Sequence, residues 1–355
     1  MKNSAHRVKA DSASSILVIL MGSLGDVARG LCLVSAVKRI LPLSRITWLV
    51  EPKCRELVEL HPDIDRIIVF DRPRGPLGMI KLYKRLIREN FDVTLDLQRH
   101  AKSGLFSLLS GARRRIGFNP RDAKELNWIF NNEYIPYCGD DISKWRHYLR
   151  FLDPLGIAIP DAPNFGLSGR SFAPDLPSTV ASLPGPFVAM VMGSAWESKN
   201  WISEGYFRLI DDILASKKLQ VVLVGDESQK GPAKRLRKQF DDGVLIDLVG
   251  RTSLRELLGV MQAASAAVGP DSGPGHLAAA VGTPHVTLFG PTSPQRTAPC
   301  GNEHLVIQAD VACSPCYKRR CPEFDRRCMR EIRVNTVKER LSEAILGAGR
   351  RDLFC

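Results

Sequence analysis

The sequence predicts an α/β protein made of two doubly wound domains, each with a parallel sheet, and two observations support this prediction. Short, β-rich apolar runs alternate along the chain with helical patterns, which is the order typical of parallel sheets. The predicted strands are also nearly continuous apolar runs, as expected for strands covered on both faces. The length of 355 residues suits two domains.

The first predicted domain begins after an N-terminal segment without strand or helix signals. Residues 1–14 lack the apolar stretch of a secretory signal, so we interpret them as a loose tail and expect a cytoplasmic protein. Strands are predicted at residues 16–20, 46–50, 67–70, 93–97 and 115–117. Helices are predicted at residues 30–41, 52–60, 78–89 and 101–109.

The alternation stops at residues 157–186, which hold six prolines and which we interpret as a domain connection. The predicted domains are therefore 1–170 and 171–355. In the second domain, strands are predicted at residues 187–192, 220–224, 245–247, 266–268 and 285–289. Helices are predicted at residues 203–216, 229–240, 253–263, 273–281 and 336–346. Because open α/β sheets bind ligands at the carboxyl ends of their strands, two such domains predict a cleft between those ends.

Composition and charge narrow the class of protein. With 44% hydrophobic residues the chain is not disordered, and it has no apolar run long enough to span a membrane. The net charge is +12, and residues 72–121 hold twelve Lys or Arg against three acids. This excess suggests an anionic partner, either a nucleic acid, a membrane surface or a phosphorylated small molecule, although a solvated basic face would explain it equally well. Few aromatic residues accompany the basic ones, which disfavours binding of single-stranded nucleic acid.

The first predicted strand leads into a glycine-rich turn at residues 22–30 that contains Asp26. The turn matches neither the P-loop nor the dinucleotide-binding spacing. An acid at the start of a helix is stabilised in its charged form. Asp26 is therefore a candidate proton acceptor, and the alternative is that it only caps the helix.

Two loops of the second domain indicate an anion site. Residues 193–201 carry Lys199, which is placed either to bind a phosphate or as a solvated loop lysine. Residues 268–280 lead from a strand into a helix of small residues, with His276 in its first turn. The N–H groups around Ser272 and Gly273 would bind an anion there. The alternative is a capped helix in which Asp271 or Ser272 bonds its own backbone.

Four cysteines cluster near the end of the chain, at Cys313, Cys316, Cys321 and Cys328. In a cytosolic protein this clustering indicates reduced structural thiols or a metal rather than disulfides. A tetrahedral structural zinc is one candidate occupant. However, the second pair of cysteines is separated by six residues, unlike the second half of a zinc ribbon, so reduced thiols are the preferred interpretation.

Taken together, these segments resemble glycosyltransferase family 9, the ADP-heptose:lipopolysaccharide heptosyltransferases. The resemblance extends over residues 16–346, and the cysteine-rich tail resembles the heptosyltransferase II branch. The matching segments are G-x-x-G-D at 22–26, Leu-Asp-Leu-Gln at 95–98, Arg-Ile-Gly-Phe at 115–118, Lys-x-Trp at 199–201, Gly-Asp-Glu at 225–227 and Asp-Ser-Gly-x-x-His at 271–276.

This resemblance implies a GT-B fold, in which two Rossmann-like domains face each other across a cleft. The N-terminal domain would bind a phosphorylated lipid A–Kdo acceptor at the inner membrane surface, and the C-terminal domain would bind ADP-heptose. The implied reaction is an inverting, metal-independent transfer without a cofactor. Asp26 would act as general base and Lys199 would stabilise the leaving diphosphate. The residues expected to bind the donor are Ser194, Lys199, Glu227, Asp271, Ser272, Gly273 and His276, and those expected to bind the acceptor are Gly25, Arg99 and Arg115. At the position of Ala195, relatives often have a second residue with a hydroxyl group. One of the expected contacts to the nucleotide sugar is therefore not assigned to a residue of this chain.

Two other functions remain compatible with the sequence. One is a different GT-B enzyme that uses another sugar nucleotide, such as an epimerase. The other is a basic, non-catalytic protein that binds RNA or a membrane surface. The paired domains and their candidate catalytic residues argue instead for an enzyme, and we expect no nucleic-acid partner.

Overall fold

The computed structural model describes residues 14–71, 75–240, 244–322 and 325–347. Most of the predicted N-terminal tail and Arg72, the first residue of the basic stretch, lie outside these ranges. The chain divides into two compact units, Met1–Leu167 and Ser168–Cys355. The division falls three residues before the predicted domain boundary, within the proline-rich connection.

The first unit contains a six-stranded parallel sheet in the order β3-β2-β1-β4-β5-β6. Its strands are β1 (Ser15–Ile19), β2 (Arg45–Val50), β3 (Arg66–Val69), β4 (Val93–Asp96), β5 (Arg114–Gly117) and β6 (Glu133–Tyr134). This order is that of a doubly wound sheet, which confirms the predicted fold class. The short strand β6 was not predicted, because two residues are too few to leave a strand pattern.

The helices of the first unit are α1 (Leu24–Ile40), α2 (Pro52–Glu59), α3 (Gly75–Arg88), α4 (Ala101–Leu109) and α5 (Lys144–Leu149). The predicted start of α1 was wrong, because residues 24–30 include Gly25 and Gly30 and resemble a loop. One of these glycines, Gly30, lies against the sheet, where an added Cβ would be 2.5 Å from Leu20 Cδ2. The glycine therefore permits close helix–sheet packing, and Asp26 lies in the first turn of α1.

The second unit repeats the same arrangement, with a six-stranded parallel sheet in the order β12-β11-β10-β7-β8-β9. Its strands are β7 (Phe187–Val191), β8 (Gln220–Val224), β9 (Leu245–Asp247), β10 (Ala266–Pro270), β11 (His285–Phe289) and β12 (Val306–Gln308). Its helices are α6 (Ser178–Ala181), α7 (Ser203–Ala215), α8 (Lys230–Arg237), α9 (Leu254–Ala263), α10 (Gly273–Ala280), α11 (Pro294–Thr297), α12 (Arg327–Arg330) and α13 (Val334–Gly347).

The apolar strand runs form the core of each unit. All residues of β7, β10 and β11 are buried, as are the last four residues of β1. Burial on both faces explains why these strands have no alternating pattern. Because all the strands of a sheet are parallel, the loops that follow them lie at one edge, and the candidate site residues are found there. No helix in the part of the chain that the structure describes is long and apolar enough to cross a membrane.

Candidate active site

In the first unit, the carboxylate of Asp26 lies at the centre of a cluster of hydrogen-bond donors. Its Oδ1 accepts hydrogen bonds from Arg29 Nη2 at 2.6 Å, Lys144 Nζ at 2.9 Å and Tyr148 Oη at 3.2 Å. Ser23 Oγ donates to Oδ2 at 3.0 Å. Lys144 and Tyr148 are one turn apart on α5, which packs against α1. The packing of these two helices thus brings the cluster together.

These contacts determine the charge of Asp26. Burial alone would raise its pKa, but the positive charges of Lys144 and Arg29 hold the pKa well below its ordinary value. The same carboxylate adds to the effect of burial in raising the pKa of Tyr148 well above its usual range. Asp26 is therefore a carboxylate at neutral pH, and it is a weak proton acceptor while both cations remain in place.

The loop before Asp26 is tied to the neighbouring strand ends. Gln98, which follows β4, donates from Nε2 to the carbonyl oxygen of Gly22 at 3.2 Å. Asp96 ends β4 and is fully buried, with hydrogen bonds from Ser103 and Asn127 to its Oδ2 at 3.2 and 2.7 Å. Burial raises the pKa of Asp96 to about 7 despite these donors. This buried network fixes the strand end from which Gln98 holds the loop.

The predicted acceptor residues are in different environments. Gly25 is buried in the first turn of α1, beside Asp26. Arg99 donates from Nη1 to the carbonyl oxygen of Asp122 at 3.1 Å, and its Nη2 lies 3.5 Å from Asp140 Oδ1. Arg115 donates to the carbonyl oxygens of Phe130 and Ala112, both at 3.0 Å. The guanidinium of Arg115 thus holds the main chain around β5, and acceptor binding by these residues stays a prediction.

In the second unit, Lys199 and Asp271 form a buried ion pair. Lys199 Nζ lies 2.7 Å from Asp271 Oδ2, and the two side chains are 13% and 6% exposed. Thr292 and Thr297 donate to the same carboxylate oxygen at 2.8 and 3.2 Å. The ammonium also lies 4.7 Å from the centre of the Trp196 ring. Lys199 is therefore held in one position by groups on the segments that follow β7, β10 and β11, rather than extending as a solvated loop lysine.

The start of α10 lies next to this ion pair in the sequence and has an unpartnered donor. Ser272 is the residue before the helix, its Oγ is buried, and it has no hydrogen-bond partner among the described residues. Neither Asp271 nor Ser272 caps the helix through its side chain, which argues against the capped-helix alternative. An orphaned hydroxyl beside the free N–H groups of a helix start is suited to bind an anion.

The other residues predicted to bind the sugar-nucleotide donor lie on the loops after β7 and β8 and at the start of α10. Ser194 Oγ accepts from the Trp196 N–H at 3.2 Å, which shapes the loop before Lys199. Glu227 is exposed in a short 3₁₀ turn after β8, and its carboxylate lies 2.7 Å from Lys230 Nζ. Gly273 and His276 belong to the first turns of α10, and His276 is buried. The loops after β7, β8 and β10 thus carry the predicted donor residues at one edge of the sheet.

The cysteine-rich segment braces two of these loops. Ser198 Oγ donates to the carbonyl oxygen of Lys318 at 2.6 Å, and the Tyr317 N–H donates to the carbonyl oxygen of Pro291 at 2.7 Å. Burial raises the pKa of Cys328, and the nearby Cys313, Cys316 and Cys321 raise it further. Among the described residues, no group of three or more His, Cys, Asp or Glu side chains is arranged to hold a metal ion. The segment thus joins the loop that carries Lys199 to the loop that carries Thr292.

Sequence reasoning missed several residues of these clusters. Thr292 follows β11 and could have been found by the rule that located Asp271, since β10 and β11 are neighbours in the sheet. Arg29 could have been found as the residue one turn after Asp26. Lys144 and Tyr148 had no signal, because they lie on a six-residue helix far along the chain.

Comparison with known proteins places these features in one family. The profile of glycosyltransferase family 9 (heptosyltransferase) matches residues 79–325. Lipopolysaccharide heptosyltransferase 1 from Pseudomonas aeruginosa is 27% identical to the chain, over 86% of the chain and 87% of the relative. The lipopolysaccharide core heptosyltransferase OpsX from Haemophilus influenzae is 25% identical, over 84% and 85%. The structure of the Escherichia coli heptosyltransferase WaaC with ADP superposes with a TM-score of 0.75 at 22% identity, over 93% of this chain and 99% of that one.

Proposed function

The chain belongs to glycosyltransferase family 9, and from this membership we propose that it transfers a heptose from ADP-heptose to the phosphorylated inner core of lipopolysaccharide. The two relatives compared above are named as lipopolysaccharide heptosyltransferases, and the solved relative was determined with ADP. The observation that carries the proposal for this chain is the buried, unpartnered Ser272 hydroxyl at the start of α10, next in sequence to the Lys199–Asp271 ion pair.

The donor half of the reaction takes place in the second unit. We propose that the diphosphate of the donor binds Ser272, the N–H groups at the start of α10 and the ammonium of Lys199. Asp271 orients that ammonium and is itself held by hydrogen bonds from the two threonines, so the position of the ammonium is set before the substrate arrives. As the bond between the heptose C1 and the diphosphate oxygen breaks, its electron pair stays on ADP. The fixed positive groups stabilise the charge that develops there.

The acceptor half takes place at Asp26. The acceptor hydroxyl attacks C1 from the face opposite to the diphosphate and gives its proton to the Asp26 carboxylate. The ion pairs with Lys144 and Arg29 oppose this step, because they lower the pKa of Asp26. We propose that an anionic group of the acceptor, a phosphate or a Kdo carboxylate, draws Lys144 away and thereby raises the proton affinity of Asp26. The free enzyme would then keep its base inactive until the acceptor binds.

Two measurements test this function. Thermal shift with ADP, UDP, GDP and CMP should show selective stabilisation by ADP. Mass spectrometry should show one heptose added from ADP-heptose to Kdo-containing lipid A or to its heptosylated form, and the choice between these acceptors tests the predicted likeness to the heptosyltransferase II branch. We expect transfer to persist in EDTA. Hydrolysis or epimerisation of the donor without an acceptor would instead indicate a different GT-B enzyme.

A further inference from the structure

Helix α3 presents apolar side chains to solvent. Ile80, Tyr83 and Ile87 are 51%, 42% and 43% exposed, whereas Leu82 and Leu86 on the same helix are 6% and 0% exposed. The helix therefore has a core-facing side formed by the two leucines and a second apolar strip on its outer side. Scattered exposed apolar residues are ordinary, but three at this spacing lie on one strip of a helix.

The outer side of α3 is also basic. At 100° per residue, Ile80, Tyr83 and Ile87 fall within an arc of roughly 60°. Lys84, Arg88 and Lys81 follow directly beside this arc, and all three are exposed. The helix Gly75–Arg88 contains these residues and Arg85 but no acidic residue. The apolar strip thus borders a positively charged one.

Neighbouring elements also expose apolar side chains. Helix α3 packs against α4, and α4 packs against the 3₁₀ turn Asn127–Phe130. Leu108 on α4 and Trp128 and Ile129 on the turn are 45%, 37% and 54% exposed. An exposed tryptophan among aliphatic residues is characteristic of surfaces that lie at the water–lipid boundary.

We propose that the outer face of α3 docks on the surface of a bilayer that contains anionic lipids. The apolar strip enters the boundary between headgroups and acyl chains, and Lys81, Lys84 and Arg88 reach the lipid phosphates. This inference rests on the proposed function in one respect, since a lipid-anchored acceptor gives the docking its purpose. α3 also begins at the sheet edge where β1 and β4 end, the edge that carries Asp26.

Charge argues for a bilayer over other occupants of this face. A second copy of the chain would place two helices without acids against each other, and the like charges would repel. A nucleic acid would suit the basic strip, but two of the three side chains in the apolar strip are isoleucines, which offer no stacking surface for bases. An anionic bilayer satisfies the basic strip and the apolar strip together.

The test is co-flotation of the full chain with vesicles, either of phosphatidylcholine alone or of phosphatidylcholine mixed with phosphatidylglycerol. We expect binding to the mixed vesicles that weakens as salt is raised. The triple variant Ile80→Ser/Tyr83→Ser/Ile87→Ser should bind at least about tenfold more weakly. The double variant Lys84→Gln/Arg88→Gln should lose about fivefold for each charge removed.

Matched controls separate this face from general effects. Ile40→Ser/Leu43→Ser removes exposed apolar side chains from another surface, and Lys217→Gln/Lys218→Gln removes two exposed charges from the second unit. Both controls should float like the wild type. Equal binding by the α3 variants and the wild type, or equal binding to neutral and mixed vesicles, would overturn the proposal. The proposal would also be overturned if ultracentrifugation showed a dimer that is lost only in the apolar triple variant.

Transfer to a deacylated, water-soluble acceptor distinguishes failure of this inference from failure of the proposed function. The apolar triple variant should keep wild-type turnover on this acceptor, which also shows that it is folded. If the wild type does not act on this acceptor or on the lipid-anchored one, the proposed function fails whatever the vesicles show. If the triple variant also loses turnover on the soluble acceptor, α3 has another role and the docking assignment falls.

Discussion

At the residue scale, Asp26 has two candidate roles that the sequence left open and that a substitution can separate. As a helix cap, Asp26 would contribute only to stability, whereas as a general base it would be needed for turnover. We expect Asp26→Asn to retain ADP binding while kcat falls by about 10²–10⁴-fold. Asp161→Asn is a suitable control because Asp161 is an exposed acid of the same unit. Turnover of Asp26→Asn close to that of the wild type would return the residue to a capping role.

Lys144 gives a second prediction, based on the pKa of Asp26. Since Lys144 and Arg29 lower that pKa in the free enzyme, the wild-type kcat/KM should show no acid limb from Asp26 above about pH 4. In Lys144→Met, the effect of burial is opposed by only one cation, so the pKa rises and the acid limb of kcat/KM moves to higher pH. Lys144→Arg keeps the charge and should keep the wild-type profile. An unchanged pH profile in Lys144→Met would contradict the proposed control of the base.

Lys199 is expected to act mainly on the donor. Lys199→Ala removes a charge-assisted contact to phosphate, which is worth about 1.5–3 kcal/mol, so ADP affinity should fall by roughly 10- to 150-fold. Calorimetric titration with ADP measures this loss, and Lys218→Ala, an exposed lysine of the same unit, serves as control. Unchanged affinity and rate would mean that the diphosphate site lies elsewhere.

At the scale of elements, the cysteine-rich segment matters because it braces the donor loops. Ser198→Ala removes the hydrogen bond to the Lys318 carbonyl and frees the loop that holds Lys199. A lost hydrogen bond costs about 1 kcal/mol, so we expect ADP affinity to fall by about fivefold without a change in the acceptor KM. Ser216→Ala, which removes a local bond at the end of α7, should leave ADP affinity unchanged. An equal effect of the two variants would argue against the brace.

The elements also show what sequence can predict and where it fails. Strands β7, β8, β9 and β11 matched their predicted positions within one residue. For β7 and β8 the reason is that buried strands leave nearly continuous apolar runs. The start of α1 was missed because glycines needed for close packing resemble a turn. Lys144 was missed for a different reason. Its contact with Asp26 depends on the packing of two helices that are far apart in the sequence. Local pattern thus located the segments of the candidate site, whereas tertiary packing lowers the pKa of the Asp26 carboxylate in one of them.

At the scale of the whole molecule, buried histidines link stability to pH. His61 and His147 in the first unit and His285 in the second each have a pKa lowered to about 4, and burial is the largest cause in each case. Such a histidine binds fewer protons in the folded protein than in the unfolded chain. Its contribution to the free energy of unfolding is therefore complete above about pH 6.5 and is lost as the pH falls toward 4. Asp96 opposes this trend, because a raised pKa favours the folded state at lower pH.

His285 allows this coupling to be measured in the second unit. Its Nδ1 lies 2.7 Å from Thr287 Oγ1, and its Nε2 is buried without a hydrogen-bond partner among the described residues, so a proton added there gains no acceptor. We expect the melting temperature of the wild type to decrease as the pH is lowered from 6.5 to 4. The decrease should be smaller in His285→Gln, because glutamine cannot titrate. His304→Gln changes an exposed histidine and should keep the wild-type slope. A slope in His285→Gln as steep as in the wild type would show that protonation of His285 does not unfold the second unit.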